Sequence, residues 1–126
     1  MSDARQQRLQ EAMRKSLSRL RRLTSLEELR LLAQGENPAF VIFTTHDCDY
    51  CANALYNVAD LSARYAAAVQ FCWATMEKNH DIVLNYAVNE FPSALVLRRD
   101  APPEKVKGRS LADPQSTRRI LDAASR

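Results

Sequence analysis

The chain has 126 residues, of which 46% are hydrophobic and 26% are charged. This length and composition are typical of one folded domain with its own core, and they exclude a disordered chain. No apolar run approaches the ~18 residues that span a membrane, and the first eight residues resemble no secretory leader. We therefore expect a cytoplasmic protein without a membrane span, in which closely spaced cysteines are catalytic or metal-binding.

The net charge of +3 is unevenly distributed along the chain. Residues 1–22 carry seven basic and two acidic residues, whereas the remainder carries 11 basic and 13 acidic residues. The apolar residues of the first segment recur with the period of one helix face, at Leu9, Met13, Leu17 and Leu20. This pattern predicts a basic amphipathic N-terminal helix over residues 1–19, followed by a domain over residues 20–126.

The predicted N-terminal helix has two interpretations. It either packs its apolar stripe on the domain that follows, or it docks an acidic partner or surface through its basic face. The segment lacks aromatic residues that stack on bases, so we predict no nucleic-acid partner. Residues 19–23 either extend this helix or form a short edge strand.

The next segments alternate between helix-like and strand-like patterns. Ser25 and Glu28 form the pattern of a capping box at the start of a helix, and Gly35 ends that helix. Residues 39–44 are a β-branched and aromatic run, typical of a central strand buried on both faces.

The rest of the chain continues this alternation. Helical patterns cover residues 48–68 and 81–88, and the second has Ile82, Leu84 and Tyr86 as expected core residues. Further strands are predicted at residues 69–74, 94–97 and 104–108, and Asp113 is expected to cap a last helix that begins at Pro114. The order predicts an α/β fold with a central mixed sheet flanked by helices.

Two cysteines stand where the predicted strand 39–44 leads into the predicted helix 48–68, in the motif Cys48-Asp49-Tyr50-Cys51. A cysteine on the first turn of a helix faces unpaired N–H groups and the positive end of the helix dipole. Both favour the thiolate that attacks a disulfide. We therefore predict Cys48 as the exposed nucleophile, and Cys51, one turn on and more buried, as the cysteine that resolves the mixed disulfide.

Three titratable neighbours of the motif are predicted to tune it. A charged His46 would stabilise a Cys48 thiolate, whereas Asp47 and Asp49 would oppose it and make the site a weaker oxidant. In the alternative, all three side chains point to water and have little effect.

Over residues 20–126 the chain resembles the thioredoxin fold. The resemblance rests on the strand at 39–44, the CxxC motif, the strand at 69–74, Phe91-Pro92 and Gly108, at separations similar to those of thioredoxin. The residues from Phe43 to Cys51 also resemble the active-site segment of bacterial disulfide isomerases, which carry a tyrosine at the place of Tyr50.

The resemblance implies a thiol–disulfide oxidoreductase whose redox-active group is a Cys48–Cys51 disulfide, with no other cofactor and no metal. Its substrates would be protein thiols or disulfides, and a separate reductase or oxidase chain would recycle it. Tyr50, Phe91 and Pro92 would bind the substrate. A cis bond before Pro92 would leave the Phe91 backbone free to pair with an extended substrate segment.

The sequence also departs from the thioredoxin pattern. Asp47 stands in place of a tryptophan, and Asp49 and Tyr50 replace glycine and proline. Thioredoxin places a buried aspartate before the motif and a lysine on the next strand, and the matching positions here are Ile42 and Trp73. Without the buried acid, Cys51 lacks a nearby proton acceptor, so we expect slow disulfide reduction.

Two alternatives to the enzyme are open. The first is a thioredoxin-fold adaptor or chaperone that binds through the groove near Tyr50 and Phe91, or through the N-terminal helix, with weak or no redox activity. The second is a structural zinc site with ligands from Cys48, Cys51, Cys72 and either His46 or His80. Cys72 lies inside a predicted strand, where a small buried hydrophobe is the simpler interpretation.

Overall fold

A computed structural model describes residues 2–126, apart from the side chains of Ser2, Leu9, Ala12 and Met13. The elements follow one another as α1 (Ser2–Leu17), β1 (Arg21–Arg22), α2 (Leu26–Ala33), β2 (Ala39–Thr44), α3 (Cys51–Tyr65), β3 (Gln70–Thr75), a 3-10 turn (Met76–Lys78), α4 (His80–Asn85), β4 (Ser93–Leu97), β5 (Glu104–Lys107), α5 (Gly108–Ala112) and α6 (Pro114–Ala124).

Within this range the strands form one mixed sheet in the order β1-β3-β2-β4-β5. β2 is parallel to β3 on one side and antiparallel to β4 on the other, and β5 continues the antiparallel part. The predicted mixed sheet flanked by helices is therefore confirmed. No described helix has both the length and the apolar character needed to cross a bilayer.

β2 is buried at every position and separates two apolar cores. Phe40 and Ile42 belong to a core with residues of α3, α5 and α6, which we call the α3 core. Val41 and Phe43 belong to a core with residues of α2 and α4, which we call the α2 core. Side chains alternate across a strand, so an apolar run is needed where helices cover both faces. The prediction of a central, doubly buried strand is confirmed.

The N-terminal helix α1 lies against α3. Of its predicted apolar stripe, Leu17 packs against the α3 core and Leu20 is buried in it, whereas the side chains of Leu9 and Met13 lie outside the described residues. β1 pairs in parallel with β3, so residues 19–23 contain a short edge strand. The division between residues 1–19 and 20–126 stays a prediction.

Two predictions outside the cysteine motif are wrong. Leu84 is 81% exposed and is not a core residue, because it lies about 200° around the helix from the buried Ile82. Tyr86 follows Ile82 by four residues, lies near the same face, and packs on the α2 core as predicted. At the start of α2, Ser25 accepts from Glu28 N as predicted. However, the Glu28 carboxylate accepts from Thr24 N instead of closing the box on Ser25 N.

Candidate active site

The cysteines of the CxxC motif lie where β2 ends and α3 begins. The helix starts at Cys51 with Tyr50 as its N-cap residue, so Cys48 lies in the preceding turn and not on the first helical turn as predicted. Cys51 N donates to Cys48 O at 3.3 Å, whereas Ala54 N makes a helical bond to Tyr50 O at 3.2 Å. The pair is still at the N-terminus of a 15-residue helix, whose first N–H groups have no partner within the helix.

Cys48 and Cys51 form a disulfide with their Cα atoms 5.4 Å apart. Cys51 is buried and Cys48 is half-buried. Cys48 Sγ lies 3.6 Å from Phe91 O. A disulfide sulfur carries no proton, so this is a packing contact in the oxidised site. Once Cys48 is a thiol, Phe91 O is within hydrogen-bonding distance of it. The more accessible sulfur is thus the first one, and it faces the backbone of Phe91.

An open groove of about 710 Å³ lies beside this disulfide. Tyr50, Phe91 and Pro92 line it, and Tyr50 is 72% exposed. The peptide bond between Phe91 and Pro92 is cis. The structure therefore brings together the three residues that the sequence suggested for substrate binding, although their role stays a prediction.

Gly108 lies in close contact with Pro92 in the lining of the groove. A Cβ atom built on Gly108 would lie 3.2 Å from Pro92 Cγ and would overlap the Pro92 carbonyl oxygen. Backbone cannot move aside as a flexible side chain does, so only glycine fits this close approach. Gly108 is also where β5 ends and the short helix α5 begins, an element that the sequence patterns did not predict.

Glu77 is a site residue that sequence reasoning missed. Its carboxylate accepts a hydrogen bond from Thr45 Oγ1 at 2.6 Å and from His46 N at 3.2 Å, and thereby holds the start of the loop that carries Cys48. The Thr45 hydrogen bond is the main reason why the pKa of Glu77 is lowered. A signal existed: parallel strands end at the same sheet edge, so the residues after β3 meet those after β2.

The three residues predicted to tune the site, His46, Asp47 and Asp49, are all exposed in the loop before α3. Asp47 has a φ of 56°, in the left-handed region that aspartate tolerates better than most residues. A conformational reason for Asp47 therefore stands beside the predicted electrostatic one. Tuning by these side chains stays a prediction.

Beneath the motif, apolar residues occupy the two sheet positions that matched an acid and a lysine in the thioredoxin pattern. Ile42 and Trp73 are register partners on β2 and β3, Ile42 is buried in the α3 core, and Trp73 packs against it. Trp73 Nε1 donates to Thr44 Oγ1 at 2.8 Å, and the Arg22 guanidinium lies 4.5 Å from the indole centroid. Neither position offers a carboxylate to accept a proton from Cys51.

Cys72 lies away from the pair, in the α2 core on the other face of the sheet from α3. It is 1% exposed, and burial raises the pKa of its thiol to about 12. The structure therefore does not bring Cys72 to the CxxC motif, as the zinc alternative requires. Among the described residues no group of three or more histidine, cysteine and acidic side chains is placed to hold a metal ion.

Several solved structures similar to this chain are thioredoxins. The thioredoxin of Malassezia sympodialis is 15% identical, with a TM-score of 0.77 over 85% of this chain and 91% of that one. Mitochondrial thioredoxin 3 of Saccharomyces cerevisiae is 21% identical, with a TM-score of 0.74 over 86% and 98%. Fasciola hepatica thioredoxin is 19% identical, with a TM-score of 0.73 over 83% and 99%. No protein-family model and no curated protein matches the sequence.

These similarities and the sheet order define a protein with the thioredoxin fold, as the sequence predicted. Its distinguishing feature is a Cys48–Cys51 disulfide at the N-terminus of α3, above an apolar interior.

Proposed function

We propose that the protein is a thiol–disulfide oxidoreductase that exchanges disulfides with a protein substrate. The observation that carries the proposal is the arrangement of the Cys48–Cys51 disulfide. Its half-buried sulfur, Cys48 Sγ, lies at a helix N-terminus and next to the open groove lined by Tyr50, Phe91 and Pro92. A buried structural disulfide would have no such access to a partner chain.

The reaction runs through two exchanges. In the reduced protein the Cys48 thiolate attacks one sulfur of the substrate disulfide, a Cys48–substrate bond forms, and the other substrate sulfur leaves as a thiolate that takes a proton from water. Cys51 then loses its proton and attacks Cys48 Sγ, which releases the second substrate thiolate. Two electrons pass from the cysteine pair to the substrate, and a separate reductase chain returns them. With an oxidase chain as partner, the same steps run in reverse.

Substrate positioning follows from the groove. Phe91 O lies 3.6 Å from Cys48 Sγ, so an extended segment paired with the Phe91 backbone would carry its own sulfur close to Cys48. The exposed ring of Tyr50 also lines the groove and supplies apolar contact area there.

The resolving step is where this protein should differ from a fast reductase. Cys51 is buried, and Ile42 and Trp73 provide no carboxylate or amine beneath it. Water reaching the opened site has to accept its proton, so we expect a long-lived mixed disulfide.

The test is a redox titration of the purified protein. Cys48 and Cys51 are alkylated after equilibration in defined dithiothreitol buffers, and the mass shift gives the fraction oxidised. A two-electron transition near or below about −200 mV would indicate a reducing enzyme, and a much higher value an oxidase or isomerase. Cys51→Ser should trap mixed disulfides with protein substrates, whereas Cys48→Ser, its matched control, should not. Absence of a Cys48–Cys51 disulfide in every buffer would refute the proposal.

A binding module is the second candidate, favoured by the missing proton acceptor and by the open groove. Its docking surface could also be α1, whose exposed basic residues are Arg5, Arg8, Arg14 and Lys15. Under this hypothesis, partners that co-purify with the chain should do so equally well with Cys48→Ser, and binding through α1 should weaken as salt rises.

A further inference from the structure

Two basic side chains line the groove, and a third continues from them along β5. Lys107 and Arg109 stand on either side of Gly108, and both line the groove. Lys105 lies two residues before Lys107 on β5, and side chains two apart on a strand share a face. Lys105 and Lys107 also line an adjoining cavity of about 170 Å³. The three cations, which we call the basic wall, thus extend from the groove along the edge of the sheet.

Strand pairing sets the distance between the basic wall and the reactive sulfur. Lys107 is the register partner of Ser93, and Lys105 is the partner of Leu95. Ser93 directly follows Pro92, whose neighbour Phe91 contacts Cys48 Sγ. Partner residues on antiparallel strands lie about 5 Å apart. A substrate segment that pairs with the Phe91 backbone would therefore have the basic wall within a few residues of its cysteine.

The cations of the basic wall are available to a ligand. All three side chains are exposed. Among the side chains that the structure describes, the one ion pair joins Arg21 to Glu28, on another part of the molecule. Glu90 lines both cavities as well and offsets part of this positive charge. The exposed Asp47 and Asp49 stand on either side of Cys48 and add negative charge at the reactive end of the groove.

We propose that the groove selects protein segments that carry acidic residues within a few positions of the reactive cysteine. This inference rests on the proposed function and adds the substrate class to it. Exposed charges of this kind act mainly on the rate of encounter and on orientation, and salt screens them. The preference for acidic segments should therefore appear in the second-order rate constant and disappear at high ionic strength.

The experiment uses the reduced full chain and three synthetic peptides, each with one cysteine in a disulfide to the same chromogenic thiol. The residues beside the cysteine are three aspartates, three serines or three lysines. Release of the chromogenic thiol gives the second-order rate constant at low and high salt. We expect the aspartate peptide to react about three- to tenfold faster than the serine peptide at low salt, and the lysine peptide to react slowest.

Two charge-removing variants test whether the preference for the aspartate peptide depends on the basic wall. K107Q/R109Q removes two exposed cations of the groove and should bring the aspartate and serine peptides to the same rate. R64Q/R118Q removes the same charge from α3 and α6, outside the groove, and should keep the preference. Glu90→Gln should increase the preference for the aspartate peptide. Thermal unfolding of each variant verifies that these exposed substitutions leave the fold intact.

The outcomes separate the two proposals. If all peptides react at one measurable rate, or if the preference survives K107Q/R109Q, the exchange activity stands and the basic wall is not a specificity element. If no peptide reacts and no Cys48–Cys51 disulfide forms, the proposed function itself fails, and this inference fails with it.

Discussion

Cys72 lies inside β3 and Cys48 follows the end of the neighbouring strand β2, yet their surroundings are opposite. Cys48 follows the end of β2, in a turn before a helix, and its sulfur is half-buried beside a groove. Cys72 lies in the middle of β3 with its thiol enclosed in the α2 core. The chemistry available to a cysteine in this fold thus depends on its position relative to the strands: inside a covered strand it is an inert hydrophobe, and in the loop after a strand it is accessible.

Replacing Cys48 should have the largest effect. Cys48→Ser removes the attacking sulfur, so disulfide exchange should fall at least about a thousandfold. Cys72→Ala should keep the exchange rate and lower the free energy of unfolding by about 1 kcal/mol, because it removes only a small buried side chain. Reaction with a disulfide peptide and urea denaturation measure the two effects. Exchange that survives Cys48→Ser, or that is lost in Cys72→Ala, would show that Cys48 is not the reactive cysteine or that Cys72 is not inert.

The second largest effect is expected in the rate at which the Cys72 thiol is alkylated. In the double variant C48S/C51S, Cys72 is the last of the three cysteines. With its pKa raised from 9.0 to about 12, its thiolate fraction at pH 8 should be about a thousandfold smaller than in the unfolded chain. Alkylation of the folded variant should therefore be slower by at least that factor, and the urea-unfolded variant is the control. Equal rates would show that Cys72 is not buried.

The same pKa shift makes a prediction about stability. The folded state holds the Cys72 proton more tightly than the unfolded state, so the contribution of this thiol is complete below about pH 9. It should be lost as pH rises from about 9 towards 12. Cys72→Ala should lack this part of the alkaline loss, which urea denaturation at several pH values measures.

Gly108→Ala tests the close contact between Gly108 and Pro92. The new Cβ would overlap the Pro92 carbonyl oxygen, so the free energy of unfolding should fall by about 1–3 kcal/mol and exchange should slow with it. Gly35→Ala is the matched control, since its Cβ would lie 3.2 Å from Leu32 O and 3.3 Å from the flexible Gln70 side chain. That change should stay within about 1 kcal/mol. Equal costs for both variants would mean that the contact with Pro92 is unimportant.

Features that depend on residues close together in the sequence can be predicted from the sequence, whereas features that depend on residues far apart in it are harder to predict. The doubly buried β2 follows from composition, and the caps of α2 and α6 follow from Ser25 and Asp113, because these are local or strongly patterned features. The pattern misassigns Leu84 to the core because the apolar residues of a short helix fit more than one face. The pattern also starts α3 three residues early, since the turn that ends at Tyr50 has no capping side chain to mark it.

The candidate site divides in the same way. The cysteine pair, Tyr50 and Phe91-Pro92 are visible as motifs, and the structure places them together. The Glu77 contacts and the basic wall depend on which strand ends and edges meet, and that information lies in the sheet order. Thr45 and Glu77 are 32 positions apart, and the sequence indicates their contact only once the parallel pairing of β2 and β3 is assumed.

Glu77→Gln should have the smallest effect and tests how firmly the loop before Cys48 has to be held. The amide can still accept from Thr45 Oγ1 and His46 N, but without the negative charge that strengthens both bonds. We expect the exchange rate to fall about two- to fivefold, because Cys48 would be positioned less narrowly against the groove. Glu36→Gln, an exposed glutamate in the turn before β2, removes the same charge and should leave the rate unchanged.

The pH dependence of the same variant gives an independent measure. The pKa of Glu77 is lowered in the folded protein, so its carboxylate contributes stability above its ordinary pKa of 4.5. That contribution is lost as pH falls through this value and then through the lowered one. The stability difference between the parent chain and Glu77→Gln should therefore shrink below about pH 4. A difference that is constant with pH would show that the charge of Glu77 does not hold the loop, and that the hydrogen-bond geometry alone suffices to keep Cys48 in place.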